Sequence, residues 1–356
     1  MTVRSKEQLI LSSFFRFLAA TNGLPNMDSL WVGFDSDEFK PTLHAYEDFD
    51  VDEDCKTLKT AMRGMGTDEK AIIDVMGHRT VYQRLQIVDR FKTLYGKDLK
   101  SELKSELSGH FKDTMLALCL SPVDYDATEL RKAMKGAGTN ENALIEILCS
   151  RTNAQIEQIK DAYSTLFPGR NLEEDIVSDT SGPFRRVMVS LLQGQRDDST
   201  SVDDREAFKD ARALFDAGEG QLGTDESVFN EILATKSPCH IRAVIKEYSK
   251  ISSKTLEEAL KSEMSGPTLR SFLAIIRCIQ NKPKYFALQL KKSMEGLGTK
   301  DRDLVRIVVS RCEIDMGYIK DEFLEMTGKP LADWISDDTS GDYKRILLAL
   351  IGDDSE

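Results

Sequence analysis

A short register recurs four times along this 356-residue chain, and it restricts the fold to an array of like modules. Threonines at 67, 139, 224 and 299 each close a glycine loop, and they stand 72, 85 and 75 residues apart. A basic column at Arg79, Arg151, Lys236 and Arg311 moves by the same three steps. Two columns of different chemistry sharing one register mark a fourfold repeat, in which neighbouring units bury a common core. The longer middle step locates a polar, turn-rich linker at 195–205. The expected division is therefore a tail at 1–47, repeats at 48–122, 123–194, 206–282 and 283–356, and that linker.

The loops read Met62-Arg63-Gly64-Met65-Gly66-Thr67, Met134-Lys135-Gly136-Ala137-Gly138-Thr139, Gly220-Gln221-Leu222-Gly223-Thr224 and Met294-Glu295-Gly296-Leu297-Gly298-Thr299. A lone acid follows the last glycine of each: Glu106, Asp179, Glu263 and Asp338, at offsets of 40, 41, 40 and 40 residues. Around these loops the apolar residues keep helical spacing. In the first unit Leu58, Ala61 and Met62 precede the loop, and Ile72, Ile73, Val75 and Met76 follow it. Thr67 is expected to cap that second helix. Val81 to Leu94 make a third helix stopped near Gly96, and Leu99, Leu103 and Leu107 a fourth ended by Gly109. Phe111 to Leu120 give a nearly all-apolar fifth. No segment alternates with period two, so the fold class is all-α, with four homologous repeats of five helices.

Charge narrows the function. A formal net charge of −12 argues against nucleic acid as a partner. It would also repel an anionic membrane unless a cation intervened. The apolar run Leu9–Ala20 contains Arg16 and falls short of the roughly 20 residues a membrane span needs. It lacks a small-residue cleavage site, so no signal peptide is expected. The six cysteines are scattered without a C-x-x-C pair, which argues against a zinc site or a disulfide framework and leaves a single specific bridge open. The expected setting is cytoplasmic; unconventional export is left open.

Calcium takes six to eight oxygens and accepts carbonyls, carboxylates and water together. Two glycines one residue apart let a loop turn its carbonyls to one side without Cβ clash. Met62, Gly64 and Gly66 then offer three neutral oxygens, and a bidentate Glu106 brings the count to five. Water or a lipid phosphate oxygen fills the rest, so that the cation bridges an acidic protein to an acidic membrane. Four such sites acting together raise avidity by about 10²–10⁴. The bland alternative is a helix–helix turn, glycine at the C′ position and threonine as the next N-cap. A mere turn has no need of a carboxylate 40 residues on. Asp48, Asp50 and Asp52 begin like an EF-hand, but Glu53 stands at the glycine position and Lys59 at the final acid, so they read as an acidic linker.

The loop-and-acid pairing, with Asp179-Thr180-Ser181-Gly182 and Asp338-Thr339-Ser340-Gly341-Asp342-Tyr343-Lys344, resembles the annexins over about residues 48–352. The resemblance implies a slightly curved disk, with calcium sites on the convex face and the tail on the concave one. It implies ligands at Met62, Gly64, Gly66 and Glu106 in the first repeat and at Met134, Gly136, Gly138 and Asp179 in the second. In the fourth they are Met294, Gly296, Gly298 and Asp338. The third loop departs from the pattern and is similar to the family's variant form, with Gly218, Gln221 and Gly223 as carbonyl donors and Glu263 as the acid. A secondary metal site falls on Thr67 and Glu69, its acid displaced to Asp301 in the fourth repeat. A central polar channel falls on Asp126, Glu129, Arg151 and Arg311, unless these arginines only tie modules together. Lys236 departs from the arginine column and weakens bidentate pairing there.

The function so implied is calcium-dependent binding to anionic, phosphatidylserine-like membranes, with Ca2+ as cofactor and peripheral attachment to the membrane when calcium rises. The alternative is a membrane-anchored scaffold whose tail, residues 1–47, recruits a protein partner. An enzyme is not expected: none of His44, His78, His110 and His240 lies in a metalloprotease or nucleophile-elbow motif.

Overall fold

The apolar stripes of the sequence become twenty helices and no strand among the described residues, five helices to a repeat. The computed structural model describes residues 39–64, 66–136, 138–296 and 298–353, and the apolar stretch at 9–20 lies outside them. The first repeat holds α1 (Val51–Ala61), α2 (Glu69–Met76), α3 (Val81–Tyr95), α4 (Leu99–Glu106) and α5 (Gly109–Leu118). The second holds α6 (Pro122–Ala133), α7 (Glu141–Ser150), α8 (Asn153–Leu166), α9 (Leu172–Asp179) and α10 (Gly182–Leu192). The third holds α11 (Asp204–Ala217), α12 (Glu226–Thr235), α13 (Pro238–Ile251), α14 (Leu256–Glu263) and α15 (Gly266–Gln280). The fourth holds α16 (Lys282–Met294), α17 (Asp301–Arg311), α18 (Met316–Thr327), α19 (Leu331–Asp338) and α20 (Gly341–Leu350). Helix α11 thus begins two residues inside the stretch read as linker.

Local chemistry sets these ends. Asp50 caps α1 by accepting from the amides of Asp52 at 2.9 Å and Glu53 at 3.1 Å, so the acidic triplet opens a helix. Two expectations are corrected here. The cap of α2 is Asp68, which accepts from the Ala71 amide at 3.0 Å, and Thr67 is left for another task. Gly109 does not end α4, which stops at Glu106; it is the first residue of α5, where a φ of +58° suits glycine.

The described residues form two compact units, 39–125 with 289–353, and 126–288. In the first, α5 packs on α17 and α20, and α20 on α2. Leu58, Ile72, Phe91, Leu103, Leu304 and Phe323 are fully buried there. Burying each such side chain contributes about 1.5–3 kcal/mol relative to leaving it in water. Part of the tail belongs to this unit too. The amides of Lys40 and Thr42 donate to the carbonyls of Ile314 (2.7 Å) and Cys312 (2.8 Å), and the Gln83 side chain donates to the Tyr46 carbonyl at 2.9 Å. In the second unit α15 packs on α7, α12 on α10 and α13 on α11. No disulfide joins any of the six cysteines.

The basic column becomes a set of ties, each inside its own unit. Arg79 grips Asp54 with two bonds of 2.7 and 2.8 Å, and Arg151 grips Asp126 with bonds of 2.6 and 2.9 Å. In the third repeat Lys236 lies 3.9 Å from Asp210, whose carboxylate instead meets the Nε2 of His240 at 2.7 Å. In the fourth the acid's position is taken by Phe286, and Arg311 turns to Asp315 at 2.8 Å. Glu129, the remaining residue of the expected polar centre, pairs with Lys132 at 2.8 Å.

Candidate metal centre

Helices α4, α9, α14 and α19 are each eight residues long, and each ends on its acid: Glu106, Asp179, Glu263 and Asp338. A carboxylate at a helix C-terminus faces the negative end of the macrodipole, an arrangement that costs a few tenths to about 1 kcal/mol and favours a cation nearby. The loop threonine brings loop and acid together in every repeat. Its Oγ1 lies 3.3 Å from the carboxylate of Glu106 for Thr67 and 2.7 Å from that of Asp179 for Thr139. For Thr224 and Glu263 the distance is 3.4 Å, and for Thr299 and Asp338 it is 2.5 Å. The threonine column was legible as register only; its bond to the acid was not.

The loops hold backbone that only glycine adopts easily. Gly64 and Gly66 have φ of +105° and +93°, and Gly136 and Gly138 have +116° and +86°. Gly296 and Gly298 follow suit. Among the described residues no backbone amide donates to the carbonyls of Met62, Gly64, Gly66, Met134, Gly136 or Gly138. No group of three or more His, Cys, Asp or Glu side chains suited to a metal forms among the described residues. An ion at these loops would meet main-chain oxygens and one carboxylate rather than a cluster of side chains. That all-oxygen donor set fits a hard ion such as Ca2+ and lacks the nitrogen and sulfur ligands zinc prefers.

The annexin family model matches residues 53–118, 125–191, 209–275 and 285–350. This chain belongs to the annexin family. It is 50% identical to rabbit annexin A11 over 304 residues, covering 85% of this chain and 60% of that protein, and so spans about three fifths of its length. It is 50% identical to mouse annexin A13 over 303 residues, covering 85% of this chain and 95% of that one. Among solved structures, chicken annexin V matches with a TM-score of 0.84 and 44% identity, over 88% of this chain and 99% of its own. Annexins are in general calcium-dependent phospholipid-binding proteins. No helix of the described residues of this annexin is long and apolar enough to cross a membrane.

Within this annexin the third loop is the exception. Gly218 has a φ of −120°, and its carbonyl accepts from the Gln221 amide at 3.2 Å. Loop and acid are nonetheless in contact, since a Cβ on Gly218 would sit 3.4 Å from the Glu263 Cγ. Leu222 at the tip is fully exposed. Of the secondary residues, Thr67 is engaged with Glu106, and Glu69 is the first residue of α2. Asp301, the displaced acid, meets the Nε2 of His110 at 3.2 Å. Burial, reinforced by Asp301 and Asp338, pushes the Tyr343 phenol well above its ordinary range.

Proposed function

We propose that this annexin binds anionic phospholipid membranes through Ca2+ held between loop carbonyls and the distal carboxylate of each repeat. Met62, Gly64, Gly66 and Glu106 would hold the first ion, and Met134, Gly136, Gly138 and Asp179 the second. Gly218, Gln221, Gly223 and Glu263 would hold the third, and Met294, Gly296, Gly298 and Asp338 the fourth. The observation that carries this reading is the threonine–acid bond repeated in all four modules, which holds one carboxylate beside each glycine loop. Bound calcium supplies positive charge that a lipid phosphate oxygen can complete. The protein's part is to present main-chain oxygens and one carboxylate from each repeat, and in the third loop the Gly218 carbonyl also accepts from the Gln221 amide. Because most ligands are neutral, a single site is weak alone, and linkage of several sites in one chain supplies the avidity.

Sedimentation with vesicles tests the reading. Phosphatidylserine vesicles should pull the protein down at millimolar or lower calcium and release it on chelation, while phosphatidylcholine vesicles should not. Binding indifferent to a chelator, or absent at every calcium level, would refute it.

A further inference from the structure

The third loop carries one residue more than its counterparts. Asp54 and Asp126 stand 13 residues before their loop threonines, as does Phe286, whereas Asp210 stands 14 before Thr224. The longer loop is stitched inward. The amides of Gly218 and Gly220 both donate to the Phe215 carbonyl, at 3.2 and 2.8 Å, and the Gln221 side chain donates to the Ala217 carbonyl at 3.0 Å.

The side chain between those glycines is the stronger fastening. Glu219 Oε2 accepts from the Tyr248 hydroxyl at 2.9 Å and the Ser252 hydroxyl at 2.6 Å, and Oε1 pairs with Lys254 Nζ at 3.0 Å. With three donors on a carboxylate that is 13% exposed, Glu219 is a strut rather than a ligand. Tyr248 occupies a position twelve residues past the basic column, where the other repeats have Phe91, Tyr163 and Phe323. Phenylalanine has no hydroxyl to give, and Tyr163 spends its own on Asp175 in α9 at 2.5 Å. Only in the third repeat, among the described residues, does this core column reach the glycine loop.

We infer that Glu219, clasped by Tyr248, Ser252 and Lys254, is a positioning residue that presets the third loop for its cation. The inference rests on the reading of the loops as calcium sites and deepens it. The clasp holds Gly218 against Glu263 and leaves Leu222 outside, so that the longest loop need not be ordered when calcium arrives.

The test uses the full chain and phosphatidylserine vesicles, reading the calcium concentration for half-maximal sedimentation and the melting of the helical signal without calcium. Glu219→Ala and Tyr248→Phe should each raise the calcium midpoint about threefold or more, the scale of one lost hydrogen bond. The double variant should be no worse than the stronger single, because both remove the same clasp. Tyr248→Phe deletes one hydroxyl and keeps the core ring, so it remains informative should Glu219→Ala fold poorly. Lower melting temperatures with unchanged calcium midpoints would reduce the clasp to a structural brace and overturn the inference. Glu263→Gln separates the two levels. If it raises the midpoint while the clasp variants do not, only the clasp fails. If it too leaves the midpoint unchanged, the site reading fails and the inference falls with it.

Discussion

Thr139 donates its hydroxyl to the carboxylate of Asp179 at 2.7 Å and lies 3.0 Å from the Asp179 carbonyl as well, joining residues 40 positions apart. A residue that elsewhere would begin the next helix is used here to hold an acid beside a glycine loop. The caps are supplied one residue later, by Asp68, Asn140 and Asp225 in the first three repeats. The threonine bond thereby ties loop and acid together within the fold.

Replacing that hydroxyl should separate ion binding from folding. Thr139→Val keeps the shape of the side chain and removes a part-buried hydrogen bond worth about 1 kcal/mol. The expected result is a small fall in thermal stability and a severalfold higher calcium requirement for vesicle binding. Calorimetry and sedimentation on the same preparation check both.

The helices and the pairing of each glycine loop with one acid are legible in the sequence, because residues at fixed spacing are local facts that a fourfold register amplifies. The helices followed from apolar periodicity, and the failure of the acidic triplet as an EF-hand followed from Glu53 and Lys59. What the chain hid were choices between equivalent partners. Thr67 and Asp68 can both cap α2, and only the position of Glu106 decides which is spared for it. Lys236 signalled a weaker tie, but its replacement, His240, comes from the next helix and no spacing announces it. The Glu219 clasp was invisible for the same reason: its donors lie 29 to 35 residues on, with no repeat to mark them.

The buried ties should dominate stability. Asp54 and its partner Arg79 are each nearly closed to solvent, and Arg79 also lies over the Tyr46 ring at 3.7 Å. Asp54→Ala strands a buried guanidinium and should cost about 3–5 kcal/mol. Asp210→Ala, which removes the partner of a histidine and a more distant lysine, should cost less. Urea denaturation of the two variants decides the order.

Acid should weaken the third repeat through Glu257. Hydrogen bonds from Arg277 first, working against burial and helped by Lys261, hold its pKa at about 2 against an ordinary 4.5. A depressed carboxylate stabilises the fold above its unfolded pKa, and that contribution is lost as pH falls from about 4.5 through about 2. Glu257→Gln should therefore be less stable than wild type at pH 7, and the gap should close across that window. Thermal melts at stepped pH measure the gap.

On the proposed function, one carboxylate per loop is what makes each loop a calcium site. The most direct test of this is calcium-dependent sedimentation on phosphatidylserine vesicles of the quadruple variant Glu106→Gln, Asp179→Asn, Glu263→Gln and Asp338→Asn. The expected result is a chain with wild-type helical content that stays in the supernatant at calcium levels that pull the wild type down completely. A quadruple variant that sediments with the wild-type calcium midpoint would contradict it.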